Sequence, residues 1–146
     1  EVEYEPGSSF TGARSDFTLV EGTDHIGEIQ AWDMDTGEEV WTREFDSHNW
    51  GGILTTRGNL LFSGGTTDRF FRAHNASTGE ELWRFRTNSG IIGVPSTFSV
   101  NGKQYVAVQS GWGVDAAGMT GRIDRQKGTR TFVPQGGVVW VFALPE

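Results

Sequence analysis

Cysteine is absent from the 146 residues, so neither a disulfide nor a thiolate metal site can form within this stretch. That absence leaves the cellular compartment open. Long apolar runs are missing too: none approaches the roughly 18 residues that a helix needs to cross a bilayer, so no transmembrane segment is expected. The chain opens on "EVEYEPGSSF", which is too charged and polar for a signal peptide. The stretch is therefore either a mature chain or a piece of a longer one. Basic residues are scarce, 12 Lys and Arg against 19 Asp and Glu, for a formal charge of -7. This argues against a nucleic-acid partner, which would need a basic face. The basic residues from Arg69 onward are interleaved with apolar ones at strand spacing and read as solvated faces. Hydrophobic content is low, at 36%. What is plentiful is Gly, with 21 copies, and Trp, with six. Together with Thr, Val and Phe they favour strands and turns, with aromatic packing supplying much of the cohesion.

Two stretches are near copies. "AWDMDTGEEVW" runs from Ala31 to Trp41, and "AHNASTGEELW" from Ala73 to Trp83, 42 residues later. Six positions are identical (Ala31/Ala73, Thr36/Thr78, Gly37/Gly79, Glu38/Glu80, Glu39/Glu81 and Trp41/Trp83), and Val40/Leu82 is conservative. Six identities in one register, each in the same context, set aside a chance match of two hairpins. A period of 42 falls within the range of propeller blades. In "GEIQAWD", Ile29 and Ala31 alternate with Glu28, Gln30 and Trp32, the period of a strand. "DTGEE" turns the chain, with Asp35 expected to bond the amides ahead of it and Gly37 to take a positive φ. "EVWTREF" leaves as the next strand. "GGILTTRG" and "NLLFSGG" meet at a tight turn over Arg57, Gly58 and Asn59, so Gly51 to Thr87 reads as four strands. "VPSTFSVNGKQYVAVQSGWG" is a hairpin turning at Asn101-Gly102. A loop is expected over Val114 to Gln135, and "GGVVWVFAL" supplies a last strand.

The predicted fold is all-β. It comprises an incomplete blade over about 17–45, a blade over about 51–87, and a last blade over about 94–144 that lacks its outer strand. Strands begin only near Phe17 or Ile26. A propeller closes its ring by lending a strand from one end to the other, and no donor strand is expected near residue 1. The stretch is therefore expected to be the C-terminal segment of a larger propeller.

The pattern A-x-D/N-x-x-T-G-x-x-x-W resembles the tryptophan-docking motif of quinoprotein propellers, in which each Trp lies on the Ala of its own blade and on the Gly turn of another. Asn75 stands where the first copy has Asp33. The motif also resembles non-enzymatic propeller scaffolds of the BamB kind, which bind other proteins. "NWGGILTTRGNLLFSGG", "GKQYVAVQSGWG" and "GGVVWVFALPE" are similar to the end of the PQQ-dependent alcohol dehydrogenases of the methanol and ethanol family. The resemblance implies an eight-bladed propeller with pyrroloquinoline quinone (PQQ) on its axis and a calcium or lanthanide ion against the quinone. It also implies a small alcohol as substrate, a cytochrome c as electron acceptor, the remaining blades of the same propeller as partners, and a periplasmic location. By this likeness Trp50 matches a cofactor-site Trp, with Gly51 and Gly52 leaving room for a flat ligand. Gly111, Trp112 and Gly113 match the second cofactor stretch, and both Trp rings are expected to confine the quinone. The catalytic base, the metal ligands and the vicinal disulfide are implied to lie in earlier blades, so the segment alone should be inactive. The loop from Val114 resembles the family's variable cover over the active-site funnel.

Blander readings stand beside these. Trp50 also fits a core position at a blade edge, and Trp112 a loop anchor without a ligand. Trp41 and Trp83 read as structural, Trp32 as a blade-side surface residue, and Trp140 as a strand residue packed between blades. His25, His48 and His74 lack metal-ligand spacing. Asp33 to Asp35 fit a turn better than a calcium loop. Asp46 is the carboxylate nearest the expected pocket.

Overall fold

The computed structural model describes residues 3–4, 6–7 and 18–143. Among them, nine strands form three antiparallel sheets, and one helix lies between the last two strands. The first sheet pairs β1 (Gly27–Trp32) with β2 (Glu39–Phe45). The second is a four-stranded meander of β3 (Ile53–Thr55), β4 (Leu60–Ser63), β5 (Phe70–Asn75) and β6 (Glu81–Arg86). The third pairs β7 (Ser96–Val100), β8 (Lys103–Ser110) and β9 (Val138–Ala143), with β8 central and no fourth strand among the described residues. The expected strand start at Phe17 lies outside the described residues. Residues 18–26 carry no strand, so β1 begins at Gly27.

The repeat is faithful down to its irregularities. Both copies shift register at the same place, between Ala31 and Trp32 and between Ala73 and His74. In each turn one side-chain oxygen organises the backbone. Asp33 Oδ1 accepts the amides of Asp35 (2.8 Å) and Thr36 (3.0 Å), and Asn75 Oδ1 those of Ser77 (2.9 Å) and Thr78 (3.2 Å). The turn acceptor is thus Asp33, not Asp35 as the sequence reading had it. An Asx turn bonds amides two and three residues ahead, which places the acceptor at the end of the strand. Gly37 and Gly79 both sit at φ 72°. Asn101 and Gly102 take φ 51° and 80°, the left-handed pair that a two-residue hairpin needs.

The sheets are joined by aromatic contacts. Trp41 is the cross-strand partner of Ala31 in its own sheet, and its indole donates its N–H to the Ala76 carbonyl beyond that sheet (3.0 Å). Its ring lies so close to Gly79 that a Cβ there would sit 2.7 Å from two ring carbons. Between the second and third sheets lies the main core of Phe62, Phe71, Ala73, Ile91, Val106 and Val108. Phe71 is fully buried and stacks on Phe62 (5.8 Å) and Phe142 (5.7 Å). Burying a Phe of this kind stabilises by about 2–3 kcal/mol. Trp83 sits edge-on to Phe142 at 5.1 Å. The Trp140 indole donates to Ser110 Oγ (3.1 Å) and Asn88 Oδ1 (3.2 Å), consistent with a strand residue packed between sheets. Trp32 is on the surface, about half exposed.

The stretch from Val114 is not a loop throughout: Val114–Lys127 is helix α1. Asp115 in its first turn and Arg125 and Lys127 in its last complement the helix dipole. Gly128 ends it in the left-handed conformation at φ 66°, its amide bonded to the Asp124 carbonyl. Asp124 also ties down the following chain, accepting from Thr129 Oγ1 (2.6 Å), the Thr131 amide (2.7 Å) and Thr131 Oγ1 (2.9 Å).

Candidate functional site

The segment after β2 carries the expected site, and glycines set its shape. The Trp50 amide donates to the Gly65 carbonyl (3.0 Å). A Cβ on Gly51 would lie 2.4 Å from the Gly64 carbonyl oxygen, and one on Gly65 would lie 2.0 Å from the Gly51 nitrogen. Only bare backbone fits that contact. A Cβ on Gly52 would strike Val94 at 2.6 Å. The backbone of Trp50 is therefore fixed, while its indole stays 40% exposed. That ring faces a cavity of about 610 Å³, shared with His48, Asn49, Ile26, Leu19 and Met119.

Trp112 is packed as the loop-anchor reading has it. Its ring is 2% exposed, packed with Ala116 and Val133. A Cβ on Gly90 would come within 1.9 Å of the ring, so Gly90 occupies a face expected to lie open to a ligand. What this stretch presents instead is backbone. Gly93, Gly111, Gly113, Gly136 and Gly137 line a separate cavity of about 490 Å³ with Trp112, and no carboxylate lines it. The Gly111 amide donates to the Gly90 carbonyl (2.7 Å). Gly113 is the residue ahead of α1, with no side-chain cap. Trp50 and the Gly111 to Gly113 stretch thus line different cavities. The residue between the two rings is His48, edge-on to Trp50 at 5.6 Å and to Trp112 at 5.4 Å. It is 8% exposed, and burial holds its imidazole below the ordinary histidine range.

Several buried polar atoms around this point have no hydrogen-bond partner among the described residues: both His48 ring nitrogens, Asn49 Oδ1 and Trp112 Nε1. Buried polar groups are normally satisfied, so a polar ligand or water fits here. The open indole of Trp50 and Asn49 Oδ1 in one cavity suit a flat, polar-rimmed ring, and the other cavity offers glycine-lined backbone. They offer no acid–base pair for proton transfer. Sequence reasoning missed His48 and Gly90, which both meet Trp112 far along the chain.

Other groups lie outside this site. His25 is gathered with Asp24 and Glu44, their ligand-type atoms lying within 4.8 Å of one another. Burial works against its charged form, but Glu28, Glu44 and Asp24 together hold its pKa above the ordinary value. His74 is fully buried in β5 and held below the ordinary range, chiefly by burial. Arg72 is buried, pairs with Asp68 and with Glu81 (3.1 Å), and lies over the Phe45 and Phe70 rings. Asp46 lines two other clefts and not the Trp50 cavity.

A four-stranded antiparallel sheet packed face to face between two partial neighbours is the architecture of a β-propeller segment. The family model "Glucose/ethanol/alcohol dehydrogenase, beta-propeller domain" matches residues 42–106. The chain is 42% identical over 146 residues to quinoprotein alcohol dehydrogenase PedH of Pseudomonas putida, covering 99% of this chain and 24% of PedH. It is 41% identical over 119 residues to 1-butanol dehydrogenase (cytochrome c) of Thauera butanivorans, covering 82% of this chain and 16% of that one. A solved europium-containing methanol dehydrogenase superposes with a TM-score of 0.67 at 34% identity, over 84% of this chain and 24% of that one. The chain belongs to the β-propeller family of the PQQ dehydrogenases, and it spans about a quarter of the length of PedH.

Proposed function

We propose that the protein carrying this segment is a periplasmic PQQ-dependent alcohol dehydrogenase, and that the segment forms one wall of its cofactor pocket near the end of the propeller. The observation that carries this reading is the exposed Trp50 indole on a backbone clamped by Gly51, Gly52 and Gly65. When bound, PQQ supplies the two-electron oxidation of the alcohol carbon to an aldehyde, and the protein supplies placement and environment. Trp50 offers a flat apolar face. The bare backbone from Gly111 to Gly113 lets a ligand edge approach closely, and the Trp112 ring supports that backbone from behind. A calcium or lanthanide ion beside the quinone takes its ligands from outside the segment. A cytochrome c receives the electrons, and a small alcohol is the substrate. The Trp41 contact on Gly79 is read as tryptophan docking between blades. Support comes from the names of the relatives, one linked to cytochrome c and one containing europium.

The test is reconstitution of the full-length apoprotein with PQQ and Ca²⁺ or a lanthanide, followed by dye-linked alcohol oxidation. Activity should require PQQ, and Trp50→Ala should weaken PQQ binding at least tenfold. An intact protein that binds no PQQ would be a propeller scaffold for other proteins instead.

A further inference from the structure

The Trp50 backbone is fixed, but its ring makes only one aromatic contact among the described residues, with His48. His48 in turn meets Trp112. Trp112 is locked: Gly90 lies against its face, and Ala116 of α1 and Val133 pack around it. A chain of contact therefore runs from α1 through Trp112 and His48 to the exposed indole of Trp50. The two contacts of His48 are both steep, with interplanar angles of 73° and 68°, so one imidazole fills the slot between two indoles. Neither of its ring nitrogens has a hydrogen-bond partner among the described residues. The ring is thus held in place by packing, not by polar anchors, and edge-to-face contacts of this kind prefer one geometry.

We propose that His48 is a positioning residue: its ring is the wedge that transfers the rigidity of Trp112 and α1 to the Trp50 indole and so sets the attitude of that ring toward the cofactor. The inference rests on the proposed PQQ site and adds a residue that does not itself touch the cofactor. Its role is that of an aromatic spacer, so a different ring of the same size should serve, and a polar chain without a ring should not.

The experiment compares His48→Phe with His48→Gln in the full-length protein. Phe keeps the ring and removes the nitrogens; Gln keeps hydrogen-bonding capacity and removes the ring. Two readouts are taken. In the apoprotein labelled with 5-fluorotryptophan, the ¹⁹F signals of Trp50 and Trp112, assigned by single Trp→Phe replacements, should stay near their wild-type positions in His48→Phe. Both should shift and broaden in His48→Gln. In PQQ titrations followed by tryptophan quenching, His48→Phe should bind within about threefold of wild type and His48→Gln at least tenfold more weakly. If Gln does not fold, His48→Leu takes its place with the same expectation. Equal effects from the two variants, or a larger loss with Phe, would overturn the wedge. A wild-type protein that binds no PQQ would sink the cofactor reading alone, because the ¹⁹F comparison needs no cofactor. PQQ binding that is lost with Trp50→Ala but unchanged in His48→Gln would sink the wedge alone.

Discussion

Two glycines with the same φ of 72° do different work. Among the described residues nothing lies within 4 Å of a Cβ at Gly37, whereas Gly79 has the Trp41 ring at 2.7 Å. Alanine at either position carries the same backbone penalty for a left-handed conformation, about 1 kcal/mol. At Gly79 a further overpacking penalty of about 1–3 kcal/mol arises where the ring is displaced. Gly79→Ala should therefore lower thermal stability, and by less where Trp41→Ala has already removed the ring. Melting curves of the single and double variants in the full-length protein separate turn strain from the contact between sheets, and equal losses from Gly79→Ala in both backgrounds would mean that the Trp41 contact adds nothing. Trp50 stands out in the sequence as a Trp followed by two glycines in a strand-rich chain, and the structure places it on a glycine-clamped backbone. The packing of His48 was not legible, because Trp112, one of the two indoles that flank it, comes after strands of two further sheets in the sequence. The burial of the Trp112 ring was hidden for a similar reason: nothing local to "SGWG" reveals that Gly90 lies against it.

At the scale of the elements, the period of 42 and the Asn101-Gly102 turn carried the sheet order, because strand alternation and left-handed turns are local properties. Helix α1 was hidden for equally local reasons. Gly118 and Gly121 lower its propensity, and among its residues only Ala116 and Thr120 are buried, so no apolar stripe marks it. Its definition comes largely from its end. Asp124 accepts bonds from Thr129 and Thr131, which hold its carboxyl below the usual carboxylate range. Asp124→Ala removes those acceptors from an exposed site, where hydrogen bonds contribute about 1 kcal/mol in total. The expected result is faster hydrogen exchange over residues 124–131, with the amides of β8 unaffected. Unchanged exchange there would show that Gly128 alone ends the helix.

Across the whole molecule, buried histidines make stability depend on pH. Burial lowers the His48 and His74 pKa values from 6.5. Both rings stay neutral in the fold at a pH where the unfolded chain takes up protons. Their contribution is fully present above about pH 6.5 and is lost as pH falls below it. His25 has a raised pKa and acts in the opposite sense: its contribution is present below 6.5 and lost as pH rises through the folded value. The His25 contribution changes above pH 6.5, so the two lowered groups decide the slope below it, and the melting temperature should fall between pH 6.5 and 5. His48→Phe should flatten that slope, and a slope unchanged by the variant would place the proton uptake elsewhere. The contact of Trp41 on the Gly79 turn also has a direction in time. The ribosome makes residue 41 before residue 79, at about 5–20 residues per second. For a few seconds the nascent chain therefore carries a bare indole whose seat has not been synthesised. During that interval a chaperone, or a neighbouring nascent chain on the same message, competes for the ring. Slow codons placed between the two positions would lengthen that exposure without changing a single amino acid.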